Sequence, residues 1–230
     1  MAHDRAALLD VDGTLVDTTY LHTLAWWRAF HRNGHSPTMT QVHRLIGLGS
    51  SRLVEAIAGE ARPELVEAQV GCFEELRPEA TVIPGARELV RWLADQGLAV
   101  VLATSGRAED TDHLRGLLDV EDALAAVVSA SETDEAKPDP DIFRLGLEKV
   151  GVPPEQAVAV GDTVWDVRAA TATGVPCIAV LTGGIGASEL ADAGAALVCD
   201  DPDDVRARAG DGPLATLTGA RHASTPRAAT

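Results

Sequence analysis

The stretch Leu8-Leu9-Asp10-Val11-Asp12-Gly13-Thr14-Leu15-Val16-Asp17 decides how the rest of this 230-residue chain is read. An apolar run, Ala6 to Leu9, leads straight into two carboxylates one residue apart and then a glycine. Such a run predicts a short buried strand that ends on Asp10 and enters a turn. Carboxylates so close resist joint ionisation unless a cation lies among them. A hard divalent cation with oxygen ligands, Mg2+ above all, resolves that conflict. Residues i and i+2 of a strand point the same way, so Asp10 and Asp12 face one ligand from slightly different depths. The plain structural alternative is an acidic turn closed by Asx hydrogen bonds.

Beyond Asp17 the pattern turns helical. Leu21, Leu24, Ala25, Trp27, Ala29 and Phe30 recur at helical spacing up to the break at Asn33-Gly34. Further helices are expected over 40–46, 51–58 and 63–76, with no strand-like alternation between about 18 and 82. From Pro84-Gly85 onward strands and helices alternate. Strands are expected over 98–103, 124–128, 157–160, 177–181 and 196–199, with helices over 86–96, 108–118, 141–150, 167–173 and 187–193. This alternation predicts an α/β fold: a Rossmann-like parallel sheet core with helices on both faces, plus an inserted all-helical cap. The expected division is a core of 1–16 and 84–206 and a cap of 17–83. Residues 207–230, small, polar and aperiodic, are expected to form a flexible tail.

Composition bounds the partners. Hydrophobic residues make up 46% of the chain, enough for a full core. The formal net charge of −16 argues against nucleic acid and anionic membrane as partners. No apolar run approaches a membrane span, and the N-terminus lacks the pattern of a secretory signal. Cys72, Cys177 and Cys199 are odd in number and widely spaced, so buried free thiols in a reducing cytoplasm are expected. A monomer or homodimer is the expected state.

Four polar clusters fall at the carboxyl ends of successive expected strands: Asp10 and Asp12, Thr104 and Ser105, Lys137, and Asp162 with Asp166. That is where an open α/β sheet holds its ligand. Each has an ordinary structural reading in isolation. Thr104 and Ser105 are good helix caps, Lys137 a usual surface lysine, and Asp162 a helix cap followed by a solvated Asp166. Lysine occurs only at Lys137 and Lys149.

Asp10-x-Asp12-Gly13-Thr14-Leu15, followed by Thr104, by Ala136-Lys137-Pro138-Asp139-Pro140 and by Gly161-Asp162-x-x-x-Asp166, resembles the four motifs of the haloacid dehalogenase superfamily. The resemblance covers roughly residues 6 to 200 and implies a Mg2+-dependent phosphatase acting on a small phosphorylated metabolite. It implies Asp10 as nucleophile, forming an aspartyl-phosphate, and Asp12 as general acid and then base. Asp12 would also ligate the metal through its backbone carbonyl. Gly13 brings an N–H to the phosphate, Thr104 with neighbouring Ser105 binds phosphoryl oxygens, and Lys137 neutralises the nucleophile and the transferring group. Asp162 is implied as a direct metal ligand and Asp166 as the group orienting a metal-bound water or Lys137.

Within the superfamily, Asp12 argues against dehalogenation, and a cap without lysine argues against Schiff-base phosphonate hydrolysis. The chain resembles the phosphoglycolate phosphatase and β-phosphoglucomutase group. His22 stands at the spacing of that group's cap-hinge histidine and is a candidate substrate-binding residue. Arg52 reads as a surface residue, and Trp26 and Trp27 either line a pocket or pack the helix. A sugar phosphomutase is the nearest alternative activity. A regulatory or interaction protein with vestigial turnover is the alternative of another class.

Overall fold

The computed structural model describes residues 3–132 and 137–219. Its centre is a parallel sheet of six strands in the order β5-β4-β1-β6-β7-β8. The strands are β1 (Ala6–Leu9), β4 (Ala99–Thr104), β5 (Leu124–Ser129), β6 (Ala157–Gly161), β7 (Cys177–Val180) and β8 (Leu197–Cys199). β1 lies inside the sheet, with Ala6 in register with Ala99 on one side and Ala157 on the other. Both of its faces are covered, which is why its sequence is continuously apolar rather than alternating.

The two faces sort by residue parity. Ala7 and Leu9 pack with Val100 and Leu102 against α5 (Ala86–Asp95) and α6 (Ala108–Leu118). Ala6 and Leu8 pack with Val101 and Ala103 against α7 (Asp141–Val150), α8 (Val164–Thr173) and α9 (Ala187–Asp192). Burying a leucine fully contributes roughly 1.5–3 kcal/mol, so Leu8 and Leu9 anchor the strand whose end carries Asp10.

Four helices stand between β1 and α5: α1 (Thr19–Arg32), α2 (Met39–His43), α3 (Ser50–Ala58) and α4 (Pro63–Leu76). They share a separate apolar cluster of Trp26, Phe30, Val42, Ile46, Leu53, Val54 and Leu65. The sequence pattern misses the ribbon at their base, β2 (Val16–Asp17) and β3 (Thr81–Val82), paired antiparallel with Val16 opposite Val82. Two-residue strands carry no periodicity, so only long-range pairing reveals them.

The expected tail from 207 is corrected over its first part. Helix α10 (Pro202–Ala207) is followed by α11 (Pro213–Thr218), whose Leu214 and Leu217 are buried in the main core. Arg5 donates a side-chain hydrogen bond to the carbonyl of Leu217. Two leucines in one turn are too few to register as periodic, and packing rather than local propensity holds the helix. Residues 220–230 lie outside the described residues. Among the described residues no helix is long and apolar enough to cross a membrane. All three cysteines are buried and unbridged.

The helical cap is seated on the core at several points. His43 Nε2 lies 2.8 Å from the carbonyl oxygen of Gly183, and its ring stacks on Tyr20. The Arg44 guanidinium spans both carboxylate oxygens of Glu189 at 3.0–3.1 Å. The Gly49 N–H donates to the Lys137 carbonyl at 3.3 Å.

Candidate active site

The polar clusters foreseen in the sequence converge in one cavity of about 120 Å3 between the strand ends and the cap. Asp10 follows β1 directly and is 5% exposed. Lys137 is 1% exposed. Its ammonium contacts Asp10 Oδ1, lies 2.6 Å from Asp166 Oδ1 and donates to the Ala103 carbonyl at 3.2 Å. A lysine is buried this completely only when its charge is matched, and here two carboxylates match it. Their attraction and hydrogen bonds outweigh the effect of burial and raise the Lys137 pKa, so the ammonium stays charged.

Asp166 has a second task. Its Oδ2 accepts from the Thr163 N–H at 3.0 Å while its own N–H donates to Thr163 Oγ1, a capping box that starts α8. One oxygen therefore holds the helix and the other holds Lys137.

Asp162 is completely buried. Thr14 Oγ1 lies 2.9 Å from Asp162 Oδ1 and 3.2 Å from Asp10 Oδ2. One hydroxyl proton cannot serve both carboxylates at once. Among the described residues Asp162 Oδ2 has no hydrogen-bond partner. Burial pushes the Asp10 carboxyl up to about 7; Lys137 opposes this rise, and Asp166 and Asp12 add to it. Burial, then Asp10 and Asp166, push Asp162 well above the ordinary carboxylate range.

Asp10, Asp162 and Asp166 bring carboxylate oxygens within 4.8 Å of one another, with Lys137 as the cation among them. The orphaned Asp162 oxygen and this all-oxygen donor set fit a hard divalent cation. The Asp12 side chain lies outside that cluster. Gly13 and Gly183 press against Asp162: a Cβ on Gly183 would sit 1.8 Å from Asp162 Oδ2, and one on Gly13 2.4 Å from it.

Asp12 belongs to a different network. Thr18 Oγ1 donates to its Oδ1 at 2.6 Å, His22 Nε2 lies 3.2 Å from the same oxygen, and Thr104 Oγ1 donates to Oδ2 at 3.1 Å. Burial disfavours the Asp12 charge, but His22 and then hydrogen bonds from His22, Thr18 and Thr104 outweigh it and hold the carboxyl down at about 2. His22 is fixed in turn by stacking on Phe73 at 3.8 Å and by Gln69 at 3.4 Å from Nδ1.

Thr104 is thus engaged with Asp12, and it also accepts from the Gly106 N–H at 2.9 Å. Among the described residues, the hydroxyls of Thr19 and Ser105 are buried without a hydrogen-bond partner, and Ser105 lines the cavity. Trp26 lines the cavity as well as packing on Phe30, whereas Trp27 packs at a tilt on His31. Arg52 is exposed.

Sequence reasoning missed Thr14 and Thr18 as supports of the carboxylates, Gln69 and Phe73 as supports of His22, and Gly183. Thr14 stood inside the decisive stretch and was legible there. Gln69 and Phe73, four apart on one helix face, carried no sign of what they would face. Gly183 acquires its meaning only from the approach of Asp162.

Comparison with known proteins places these features in a family. A model of haloacid dehalogenase-like hydrolases matches residues 5–174. A phosphoglycolate phosphatase from Pseudomonas putida is 30% identical over 190 residues, which are 78% of this chain and 70% of that protein. The crystal structure of a hydrolase from Pseudomonas syringae superposes with a TM-score of 0.84 at 29% identity, covering 89% of this chain and 97% of the other. A β-phosphoglucomutase from Clostridium difficile superposes with a TM-score of 0.75, covering 86% of this chain and 92% of the other. At 20% identity that last likeness is one of fold alone.

Proposed function

Since this chain belongs to the haloacid dehalogenase-like hydrolases and is a phosphatase, we propose that it hydrolyses a small phosphate monoester with Mg2+ through an aspartyl-phosphate on Asp10. The observation that carries this reading is the buried arrangement of Asp10, Asp162 and Asp166 around Lys137, with an Asp162 oxygen left without a partner.

Asp10, Asp162 and the Asp12 carbonyl would hold the cation, with Asp166 beside them. When bound, the cation supplies charge neutralisation between carboxylate and phosphoryl oxygens. Lys137 and Thr14 orient the Asp10 carboxylate. An Asp10 oxygen attacks phosphorus, a new P–O bond forms, and the bond to the leaving alkoxide breaks. Lys137, the unpartnered Ser105 hydroxyl and backbone N–H groups near Gly13 stabilise the charge on the transferring group.

Asp12 then gives the leaving oxygen its proton. Asp12 is ionised in the resting site, so the proton must reach it first, and His22 at 3.2 Å is the neighbour able to deliver it. In the second step Asp12 takes a proton from water, water oxygen bonds to phosphorus, and the bond to Asp10 breaks. The cap excludes bulk water during the first step and selects the leaving group. A cytoplasmic location and a monomeric or dimeric state belong to the same reading.

The test is phosphate release from a panel of monoesters with Mg2+ and with chelator, wild type beside Asp10→Asn. Release that needs the metal and vanishes in the variant supports the proposal; release indifferent to both overturns it.

A further inference from the structure

The core half of the cavity is built for a phosphoryl group and its counter-ions. The cap half is different. Trp26, Ile46, Leu48, Leu53, Val66 and Val70 form its wall. Its polar side chains are Ser50, Gln69 and His22, the last two committed to each other and His22 also to Asp12. Among the described lining residues, the cap contributes no lysine or arginine.

The cations on the core side are already matched. Lys137 lies between Asp10 and Asp166. Arg107 has a side chain 43% exposed and paired with Glu109 at 3.1 Å. Asp110 also faces the cavity, its charge answered by Arg77 at 3.1 Å. A second anionic group held against the cap wall would therefore lie against apolar side chains and meet no lysine or arginine of the cap. Burying an unmatched charge there is strongly unfavourable. A cationic leaving group would find the carboxylates of Asp12 and Asp110 already paired.

Resting on the phosphatase reading above, we propose that the substrate is a phosphate monoester of a small uncharged alcohol with an apolar face, and that the Trp26–Leu53–Val70 side of the cap selects it. This departs from the activity in the name of the Pseudomonas putida relative, whose substrate carries a carboxylate beside its phosphate. It also departs from bisphosphate chemistry, which needs a second set of cations. The cavity of about 120 Å3 limits the alcohol to a few carbon atoms, since pockets for drug-sized ligands run to roughly 300–1,000 Å3.

The experiment compares kcat/KM, with Mg2+, for propyl and butyl phosphate, phosphoglycolate, 3-phosphoglycerate, phosphoethanolamine and fructose 1,6-bisphosphate. Asp10→Asn serves as the control. Uncharged esters preferred at least tenfold over every charged one is the expected result. Metal-dependent, Asp10-dependent turnover with an anionic ester or phosphoethanolamine preferred overturns the inference and leaves the phosphatase reading standing. No metal-dependent turnover of any ester removes that reading, and this inference with it.

A second arm places a cation on the cap wall at half-buried positions, Val70→Lys and Leu48→Lys. The ratio of phosphoglycolate to propyl phosphate should rise at least fivefold in a variant that folds. An unchanged ratio in folded variants overturns the assignment of this wall as the selecting surface. If neither folds, the wild-type ranking alone decides.

Discussion

Lys137 and Asp166 form an ion pair at 2.6 Å in which each side chain is 1% exposed. The same ammonium contacts Asp10, and the other Asp166 oxygen caps α8. One lysine thus ties the end of β1 to the start of α8. Replacing it with methionine would leave buried carboxylates without their cation. Lys137→Met should lower stability by about 3–5 kcal/mol, read by urea denaturation in chelator. A loss below 1 kcal/mol would show that the pair is not what holds this corner together.

Asp10→Asn should cut turnover by at least about a thousandfold, because an amide is no nucleophile at phosphorus. Its effect on stability has the opposite sense. Removing one charge from a crowded carboxylate group should leave the metal-free protein as stable as wild type or more so at pH 8. Thermal midpoints beside phosphate-release rates check both halves, and a variant with wild-type turnover would exclude Asp10 as nucleophile.

The Asp10 carboxyl is raised from 3.8 to about 7 by burial, so the folded state binds a proton more tightly than the unfolded chain. The stability this contributes is fully present below about pH 3.8 and is lost as pH rises through about 7. In chelator the thermal midpoint should fall by several degrees between pH 5.5 and 8. Mg2+ at the carboxylates, or Asp10→Asn, should flatten that slope. The Asp12 carboxyl, held down at about 2, acts oppositely: its contribution is present above about 3.8 and is lost as pH falls through about 2. A slope unchanged by Mg2+ would place the cation elsewhere.

In the proposed proton path His22 serves the leaving group through Asp12, so the effect of its removal should depend on how much the leaving oxygen needs a proton. His22→Ala should lower kcat on alkyl phosphates by about tenfold or more, and on 4-nitrophenyl phosphate by less than about threefold. Equal losses on both would make His22 a packing residue on Phe73 rather than part of the proton path.

Gly183→Ala should strike the proposed metal site without replacing any of its ligands. The added methyl would lie 1.8 Å from Asp162 Oδ2, so Asp162 or the 181–184 turn must shift. Mg2+ affinity should drop by about tenfold or more, measured by calorimetry on the metal alone and by the Mg2+ dependence of turnover. Wild-type affinity in the variant would mean that Asp162 has room to move without cost.

How much was legible divides by the range of the interactions. The six core strands were readable because a buried strand writes its burial as a continuous apolar run, as Ala6–Leu9 and Ala99–Ala103 do. Asp10 and Asp162 were readable because they directly follow such runs, where a parallel sheet must expose its ligand groups, whereas Lys137, well past the end of β5, was readable only through the motif it resembles. The β2–β3 ribbon and α11 were not, since two paired residues or two leucines leave no period to detect.

The sequence by itself determined the chemistry: which residue types end the strands, in which order, and that the cap is helical and lacks lysine. Only the tertiary structure decided the wiring. It put Thr104 on Asp12 rather than leaving its hydroxyl free, put His22 under Phe73 and beside Asp12, and left Asp162 Oδ2 and Ser105 Oγ without partners among the described residues. It also turned the apolar side of the cap toward the site. The reason is physical. Strand and helix identity follow from near-neighbour periodicity. Hydrogen-bond partners, carboxyl pKa shifts and cavity walls depend on side chains that packing brings together from far apart in the chain.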